Sequence, residues 1–270
     1  MSIVDIPYAA PKIILFDWHA TLVDTHDAMY HAIDDVLPKL NELGVVDRMV
    51  KTEDSKTLED AKLVKYVRDN KKLHPKLKVA RKVSRTDIFQ VLFGDDEEAK
   101  KLVHEAFDDA YRDYFGDVHP FEEGVEKMLT DLRELNLAVG ALTNRNREFM
   151  MHEVSVVNET GWEHFFDVIV CGDDVPKRKP APDQILKALH ELDEEASLSC
   201  WYVGDSTTDI IAAKEAGVTA IYYNGADWSK EWLDKIFPGT VTHPHRPDVI
   251  VDDFKELMHL VRLETFAVSE

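Results

Sequence analysis

The pattern of apolar and polar positions changes twice along the chain. Near the start, an apolar run at 13–16 ends in the carboxylate of Asp17, which is typical of a strand buried on both faces. Between 24 and 115, apolar residues recur three or four positions apart and predict helices. From Gly124 onward, helical and strand patterns alternate. Alternation of this kind predicts a parallel sheet with helices on both faces.

The alternating region predicts one α/β core with a Rossmann-like parallel sheet. Strands are expected at 138–142, 168–171, 200–203, 219–223 and 249–251, with helices near 125–132 and at 149–157, 185–192, 210–216 and 254–261. The strand at 13–16 belongs to the same sheet, so the helical stretch is best interpreted as an insertion. We therefore predict a core formed by 1–23 and 122–270 and an inserted all-helical cap domain at 24–121.

The inserted region has few other signals. Pro38 is expected to interrupt its first helix, and Ser84 with Asp87 resembles a helix start. The basic stretch 71–82 is interpreted as a solvated loop or an exposed helix face. We expect no strand between 24 and 115.

Charge and cysteine content narrow the function classes. The chain has 270 residues, with 52 Asp and Glu against 32 Lys and Arg, giving a formal charge of -20. This charge argues against binding to nucleic acid or to an anionic membrane, because both need positive potential. Cys171 and Cys200 lie in or beside apolar runs, which favours buried free thiols and a reducing cytoplasm. No targeting signal or membrane span is apparent, and the pattern does not determine an oligomeric state.

Polar side chains follow the predicted strands where those strands end. Asp17, Thr143 and Asn144, and Asp205 occupy such positions, with Lys179 and Asp209 in adjoining segments. Because the carboxyl ends of parallel strands lie at one edge, these groups are expected to meet there. Clustered carboxylates repel one another unless a cation neutralises them, and an all-oxygen group suits Mg²⁺ bound together with a substrate phosphate. The simpler alternative for Asp17 is that it caps the next helix.

The order of these groups resembles the four signature motifs of the haloacid dehalogenase-like hydrolases. Those motifs correspond here to Asp17-Trp-His-Ala-Thr21, Thr143-Asn144, Lys179-Pro-Ala-Pro182 and Gly204-Asp205-Ser-Thr-Thr-Asp209. The resemblance implies a nucleophilic Asp17 that forms an aspartyl-phosphate, with Thr21 supporting the loop that follows it. It also implies substrate binding by Thr143, Asn144 and Lys179, and Mg²⁺ binding by Asp17, Asp205, Asp209 and the backbone carbonyl of His19. The helical insertion lies where that superfamily has its helical cap.

His19 departs from the family pattern. Phosphatases of the superfamily carry an aspartate two residues after the nucleophile, where it serves as general acid and base. Histidine can transfer protons near neutral pH, with an unperturbed pKa of about 6.5. We therefore expect His19 to take this catalytic role; the alternative is a packed or solvent-facing substitute in an enzyme of altered activity.

The favoured interpretation is a magnesium-dependent phosphatase acting on a small phosphorylated metabolite. A carbon–phosphorus hydrolase resembling phosphonoacetaldehyde hydrolase is the first alternative. The first motif of that enzyme, like the one here, has Trp after the nucleophile and lacks the second Asp. Its chemistry needs a Schiff-base lysine in the cap, for which the candidates are Lys51, Lys56, Lys62 and Lys65. The second alternative is a weakly active phosphate-binding or interaction protein.

The remaining histidines and arginines are given simpler interpretations. A surface or loop position is favoured for His26, His31, His243 and His245. Arg145 and Arg147 could steer an anion, but a solvated loop is the simpler expectation.

Overall fold

A computed structural model describes residues 9–80 and 83–267 of the chain. The N-terminal segment, for which no targeting signal was predicted, has its residues 1–8 outside this described part. Residues 81–82 of the basic stretch also lie outside it. The strands of the described part are β1 (Ile13–Asp17), β2 (Val23–Asp24), β3 (His119–Pro120), β4 (Ala138–Leu142), β5 (Val168–Val170), β6 (Cys200–Gly204), β7 (Thr219–Tyr223) and β8 (Val249–Val251). The α-helices there are α1 (His26–Val36), α2 (Leu58–Asn70), α3 (Pro75–Ala80), α4 (Arg85–Phe93), α5 (Glu97–Tyr111), α6 (Val125–Glu134), α7 (Arg147–Val156), α8 (Asp183–Glu191), α9 (Thr207–Ala216), α10 (Lys230–Ile236) and α11 (Phe254–Ala267).

Six of the strands form one parallel sheet in the order β5-β4-β1-β6-β7-β8. The predicted α/β fold class is confirmed, with β1 in the interior of the sheet, as its apolar run at 13–16 requires. Side chains of β1 alternate between two apolar cores: Ile14 and Phe16 lie in one, and Ile13 and Leu15 in the other. Helices therefore cover both faces of the sheet.

One short pairing differs from the sequence prediction. Val23 and Asp24 of β2 pair antiparallel with Pro120 and His119 of β3, so Asp24 is in a strand where none was expected. Strands of two residues are too short to show an alternating pattern, which explains why periodicity missed them. This pairing places 118–120 beside the residues that precede the insertion.

The chain divides into two compact units, one running up to Asp24 and resuming at Val118, and the other covering Thr25–Asp117. The described residues of the second unit form α-helices and 3₁₀ turns, and their buried apolar side chains include Ile33, Val64 and Phe107. Helix α4 begins with the capping box predicted at Ser84 and Asp87. The 3₁₀ turn Leu37–Leu40, containing Pro38, follows α1 directly. That this unit acts as a cap stays a prediction.

Candidate active site

The ends of three central strands bring the predicted polar groups together. In the register of the sheet, Asp17 is opposite Leu142, so the nucleophile candidate lies beside Thr143 at the next position. Strand β6 ends at Gly204 and is followed by Asp205. Asp17 and Thr143 are buried although both are polar. Burial of this kind is expected of a site that holds its polar groups in fixed positions.

Three carboxylates form a compact acidic cluster, defined as Asp17, Asp205 and Asp209. One ligand oxygen from each lies within 4.8 Å of the others. Asp209 reaches this position from the first turn of α9, where it forms a capping box with Ser206. Gly204 permits the approach, because a Cβ atom at that position would lie 2.5 Å from the Asp209 side chain. A larger residue at 204 would therefore displace a member of the cluster.

Lys179 is the cation inside this cluster. Its Nζ atom donates to Asp17 Oδ1 at 2.5 Å, to Asp209 Oδ1 at 2.7 Å and to the Tyr202 hydroxyl at 2.9 Å. The Lys179 side chain is only 3% exposed. The ammonium is thus buried against the proposed nucleophile, a contact that the sequence did not predict.

The cluster carries more negative charge than Lys179 neutralises. Burial raises the pKa of Asp17 to about 7, with Lys179 opposing this shift and Asp209 adding to it. Burial, together with Asp17 and Asp209, also raises the pKa of Asp205 well above its usual value. Burial acts against the charged form of Lys179, yet attraction to Asp17 and Asp209 holds its pKa well above the ordinary value. A second cation would relieve the excess charge.

The acidic cluster fits a hard divalent cation. All of its side-chain donors are carboxylate oxygens, the ligand type preferred by Mg²⁺, which also retains water and binds substrate phosphate. Burial is the main cause of the raised pKa of Asp17 and Asp205, and a divalent cation bound between them would favour their ionised forms. Asp17, Asp205 and Asp209 are therefore the side chains that would hold such an ion.

Asn144 organises the loop that carries Lys179. Its Nδ2 atom donates to the Lys179 carbonyl at 3.0 Å, and its Oδ1 atom accepts from the Lys179 backbone N–H at 2.9 Å. These reciprocal bonds fix the backbone from which the buried ammonium projects. The amide was predicted to bind substrate, and that role stays a prediction beside the positioning contact observed.

Thr143 is held from both its hydroxyl and its carbonyl. The hydroxyl accepts from the Arg145 backbone N–H at 3.1 Å and lies 3.3 Å from His19 Nδ1. The Thr143 carbonyl accepts from Gln184 Nε2 at 2.6 Å. Thr21, in contrast, has a buried hydroxyl without a hydrogen-bond partner among the described residues. Any support that Thr21 gives the loop after Asp17 thus comes from packing.

His19 and a glutamate that sequence reasoning missed form a second polar group beside Thr143. His19 Nε2 lies 2.8 Å from Glu153 Oε2, and the Glu153 side chain is 0% exposed. The same oxygen accepts from Trp18 Nε1 at 2.9 Å, and Arg145 donates to Oε1 at 3.3 Å. The signal for Glu153 was present, because it occupies an apolar face of α7 that also contains Phe149, Met150 and Val154.

Two arginines expected in a solvated loop are paired instead. Arg145 contacts Glu153, and Arg147 forms an ion pair with Asp174. Of the remaining histidines, His245 pairs with Glu215 at 2.8 Å, and His31 stacks on Tyr114. The surface position expected for His26 is wrong, because its side chain is buried in the first turn of α1, where its ring packs beside Tyr30.

The chain matches the family model of the haloacid dehalogenase-like hydrolases over residues 14–223. It belongs to this family and is therefore a hydrolase of that class. The match includes every residue of the acidic cluster together with Lys179 and Thr143. The resemblance inferred from the four motifs is thus confirmed.

Similarity extends to curated relatives and solved structures. A putative pyrophosphatase PpaX from Caldanaerobacter subterraneus is 30% identical over 156 residues, covering 56% of this chain but only 65% of that protein. A phosphoglycolate phosphatase from Photobacterium profundum is 25% identical over 260 residues, covering 93% and 96%. A putative haloacid dehalogenase-like hydrolase from Bacteroides fragilis shares the fold, with a TM-score of 0.62, 21% identity, and coverage of 92% and 99%. In the described part of the chain, no helix is long and apolar enough to cross a membrane.

Proposed function

We propose that the protein is a magnesium-dependent phosphatase that hydrolyses a small phosphorylated metabolite through an aspartyl-phosphate on Asp17. The observation that carries this proposal is the contact of the buried Lys179 ammonium with Asp17 inside the acidic cluster. A carboxylate next to a fixed ammonium and a cation site is equipped to attack an anionic phosphorus centre.

In the first step, an Asp17 carboxylate oxygen forms a bond to phosphorus while the bond from phosphorus to the leaving oxygen breaks. Lys179 and the Thr143 hydroxyl bind the non-bridging phosphoryl oxygens, where charge is concentrated during transfer. His19, protonated on both ring nitrogens, gives the proton on Nδ1 to the leaving oxygen. In the second step, water attacks the phosphorus of the aspartyl-phosphate, His19 accepts its proton, and Asp17 is released with inorganic phosphate.

A bound Mg²⁺, held by Asp17, Asp205 and Asp209, would supply charge neutralisation for the substrate phosphate. The backbone carbonyl of His19 is proposed as a further ligand, as the family pattern implies. This assignment uses the His19 backbone and leaves proton transfer to the imidazole.

The substrate is proposed to be small and anionic. The names of relatives refer to phosphoglycolate and to pyrophosphate, both of which are small phosphorylated anions. We propose that the helical unit Thr25–Asp117 is the cap that selects among such substrates. The free thiols Cys171 and Cys200 support a reducing compartment, and we place the enzyme in the cytoplasm.

The carbon–phosphorus alternative receives less support. A lysine that forms a Schiff base needs a desolvated or charge-perturbed environment. Lys51, Lys56, Lys62 and Lys65 are exposed, and the last two pair with Glu59 and Asp69. Borohydride reduction in the presence of phosphonoacetaldehyde would trap a Schiff base if this alternative were correct.

A phosphate-release assay tests the proposal. Phosphoglycolate, pyrophosphate and a panel of sugar and alcohol phosphates are each incubated with the enzyme, with Mg²⁺ or with excess chelator. We expect release of phosphate from at least one compound only when Mg²⁺ is present. Absence of release from the whole panel would favour the phosphate-binding alternative, and full turnover in chelator would refute the metal assignment.

A further inference from the structure

We propose that Glu153 is a positioning residue that fixes the His19 imidazole for proton transfer. The inference rests on the proposed function, because it concerns the same reaction. It adds a residue from a helix that none of the sequence motifs includes.

Glu153 is a fully buried carboxylate, which is unusual for this side chain unless it is paired. Its Oε2 atom lies 2.8 Å from His19 Nε2 and accepts from the Trp18 indole, and its Oε1 atom accepts from Arg145. Trp18 and His19 directly follow the proposed nucleophile, and Arg145 follows Thr143 by two positions. The carboxylate on α7 therefore ties together the two loops that carry the chemistry.

The contacts of Glu153 determine how the imidazole is held. Glu153 pairs with the Arg145 guanidinium and accepts from Trp18, and an ionised carboxylate only accepts hydrogen bonds, so the 2.8 Å contact implies a proton on His19 Nε2. The other ring nitrogen, Nδ1, faces the Thr143 hydroxyl at 3.3 Å. The ring is thus fixed through both nitrogens, with Nδ1 directed toward the residue proposed to bind the phosphate. Orientation of a catalytic imidazole by a buried carboxylate is an established way to select its tautomer.

A neutral amide cannot replace this carboxylate. Glutamine has one accepting oxygen and one donating NH₂ group, whereas both oxygens of Glu153 face donors. In Glu153→Gln, the NH₂ group would therefore face either Arg145 or the Trp18 and His19 pair. Either orientation places donor against donor: one removes the acceptor from His19 Nε2, and the other repels Arg145 and so displaces the side chain that holds the imidazole.

The alternative is that Glu153 only anchors Trp18 and Arg145 and stabilises the fold. A double-mutant cycle separates the two roles, using Glu153→Gln, His19→Ala and the double variant. Rates are measured on glycerol phosphate, whose leaving oxygen needs a proton, and on 4-nitrophenyl phosphate, whose leaving group does not. Glu134→Gln is the matched control, because Glu134 is an exposed glutamate at the end of α6. It precedes the start of β4, whereas the site lies where β4 ends.

For Glu153→Gln, we expect kcat on glycerol phosphate to fall about 10- to 100-fold, the usual cost of losing a partner that orients a functional imidazole. The rate of leaving-group release from 4-nitrophenyl phosphate in the first turnover should change much less. The double variant should lose no more than His19→Ala alone, and Glu134→Gln should match the unmodified enzyme. Unchanged kcat in Glu153→Gln, or a double variant whose loss is the product of the two single losses, would overturn the proposal.

A second measurement does not depend on turnover or on the glutamine variant. The ring ¹⁵N signals of His19, assigned by their disappearance in His19→Ala, should report a proton on Nε2, whether the ring is neutral or doubly protonated. In Glu153→Asp, which keeps the charge for Arg145 but is one methylene shorter, this signature should be lost. If it persists there, or if the unmodified protein shows a ring protonated on Nδ1 alone, Glu153 does not orient the ring. If the enzyme releases no phosphate but the signature is as expected, the proposed function fails and the positioning does not.

Discussion

Lys179→Met removes the ammonium from the acidic cluster while nearly conserving side-chain volume. In the structure, this ammonium contacts Asp17 at 2.5 Å and Asp209 at 2.7 Å, with only 3% of the side chain exposed. At an effective dielectric constant of about 20, each such contact is worth about 6 kcal/mol of direct attraction. Most of this attraction offsets the cost of burying the charges, so the net effects are smaller.

The variant should lose activity and stability together. Loss of one preorganised charge at a site of developing negative charge typically lowers kcat about 10²- to 10³-fold, equivalent to about 2.7–4 kcal/mol. Removal of one partner from a buried ion pair typically costs about 3–5 kcal/mol of folding stability. We expect the stability loss in chelator to be partly reversed by Mg²⁺, because a divalent cation can neutralise the carboxylates that Lys179 leaves unpaired.

Phosphate release and urea denaturation, each with Mg²⁺ or chelator, provide the assays. Lys177→Met is the matched control, since Lys177 is exposed two positions earlier in the same loop. It should behave as the unmodified protein. A Lys179→Met variant with near-normal kcat and KM would refute the assigned role, and normal stability would show that the ammonium is not needed to balance the cluster.

The remaining predictions concern the metal site, the proton donor and the thiols. Asp205→Asn should raise the Mg²⁺ concentration needed for half-maximal activity while leaving the circular dichroism spectrum unchanged; an unaltered requirement would exclude Asp205 as a ligand. His19→Ala should lose about 10²–10⁴-fold on glycerol phosphate but much less in leaving-group release from 4-nitrophenyl phosphate, and equal losses on both would exclude proton donation by His19. Burial raises the pKa of Cys171 and of Cys200 to about 12, so both thiols should resist Ellman's reagent at pH 8 until urea unfolds the chain. Because these folded-state pKa values lie above the unfolded value, their contribution to stability is complete below about pH 8.5 and is lost as pH rises toward 12; a stability that increased over this window would contradict the assignment.

The fold and the main site were predictable because simple physical patterns specify them. Buried parallel strands have continuous apolar runs, and their carboxyl ends lie at one edge, so Asp17, Thr143 and Asp205 could be placed together from the sequence. Lys179 was placed through a motif, but its direct contact with Asp17 depends on the loop that Asn144 holds. A contact between two loops that are far apart in the sequence produces no periodic pattern of residues, so the sequence could not predict it.

Glu153 shows where the sequence reasoning stopped. The apolar periodicity of α7 predicted its helix. Periodicity takes account of apolar positions alone, so it did not identify Glu153 on the buried face of that helix. A charged residue at a core position demands a partner, so a glutamate on an apolar helix face is itself a sequence signal for a buried polar network. The short pairing of β2 with β3 was missed for a different reason, since two residues cannot establish a period.

The central claim is that Asp17 becomes phosphorylated during turnover. Enzyme mixed with the best substrate of the phosphate-release panel and Mg²⁺ is quenched in acid within the first turnovers, digested and analysed by mass spectrometry. We expect one added phosphoryl group on the peptide containing Asp17, no such adduct in Asp17→Asn, and loss of steady-state turnover in that variant. Phosphate release that persists at the normal rate in Asp17→Asn, or a phosphoryl group mapped to another residue, would contradict the account.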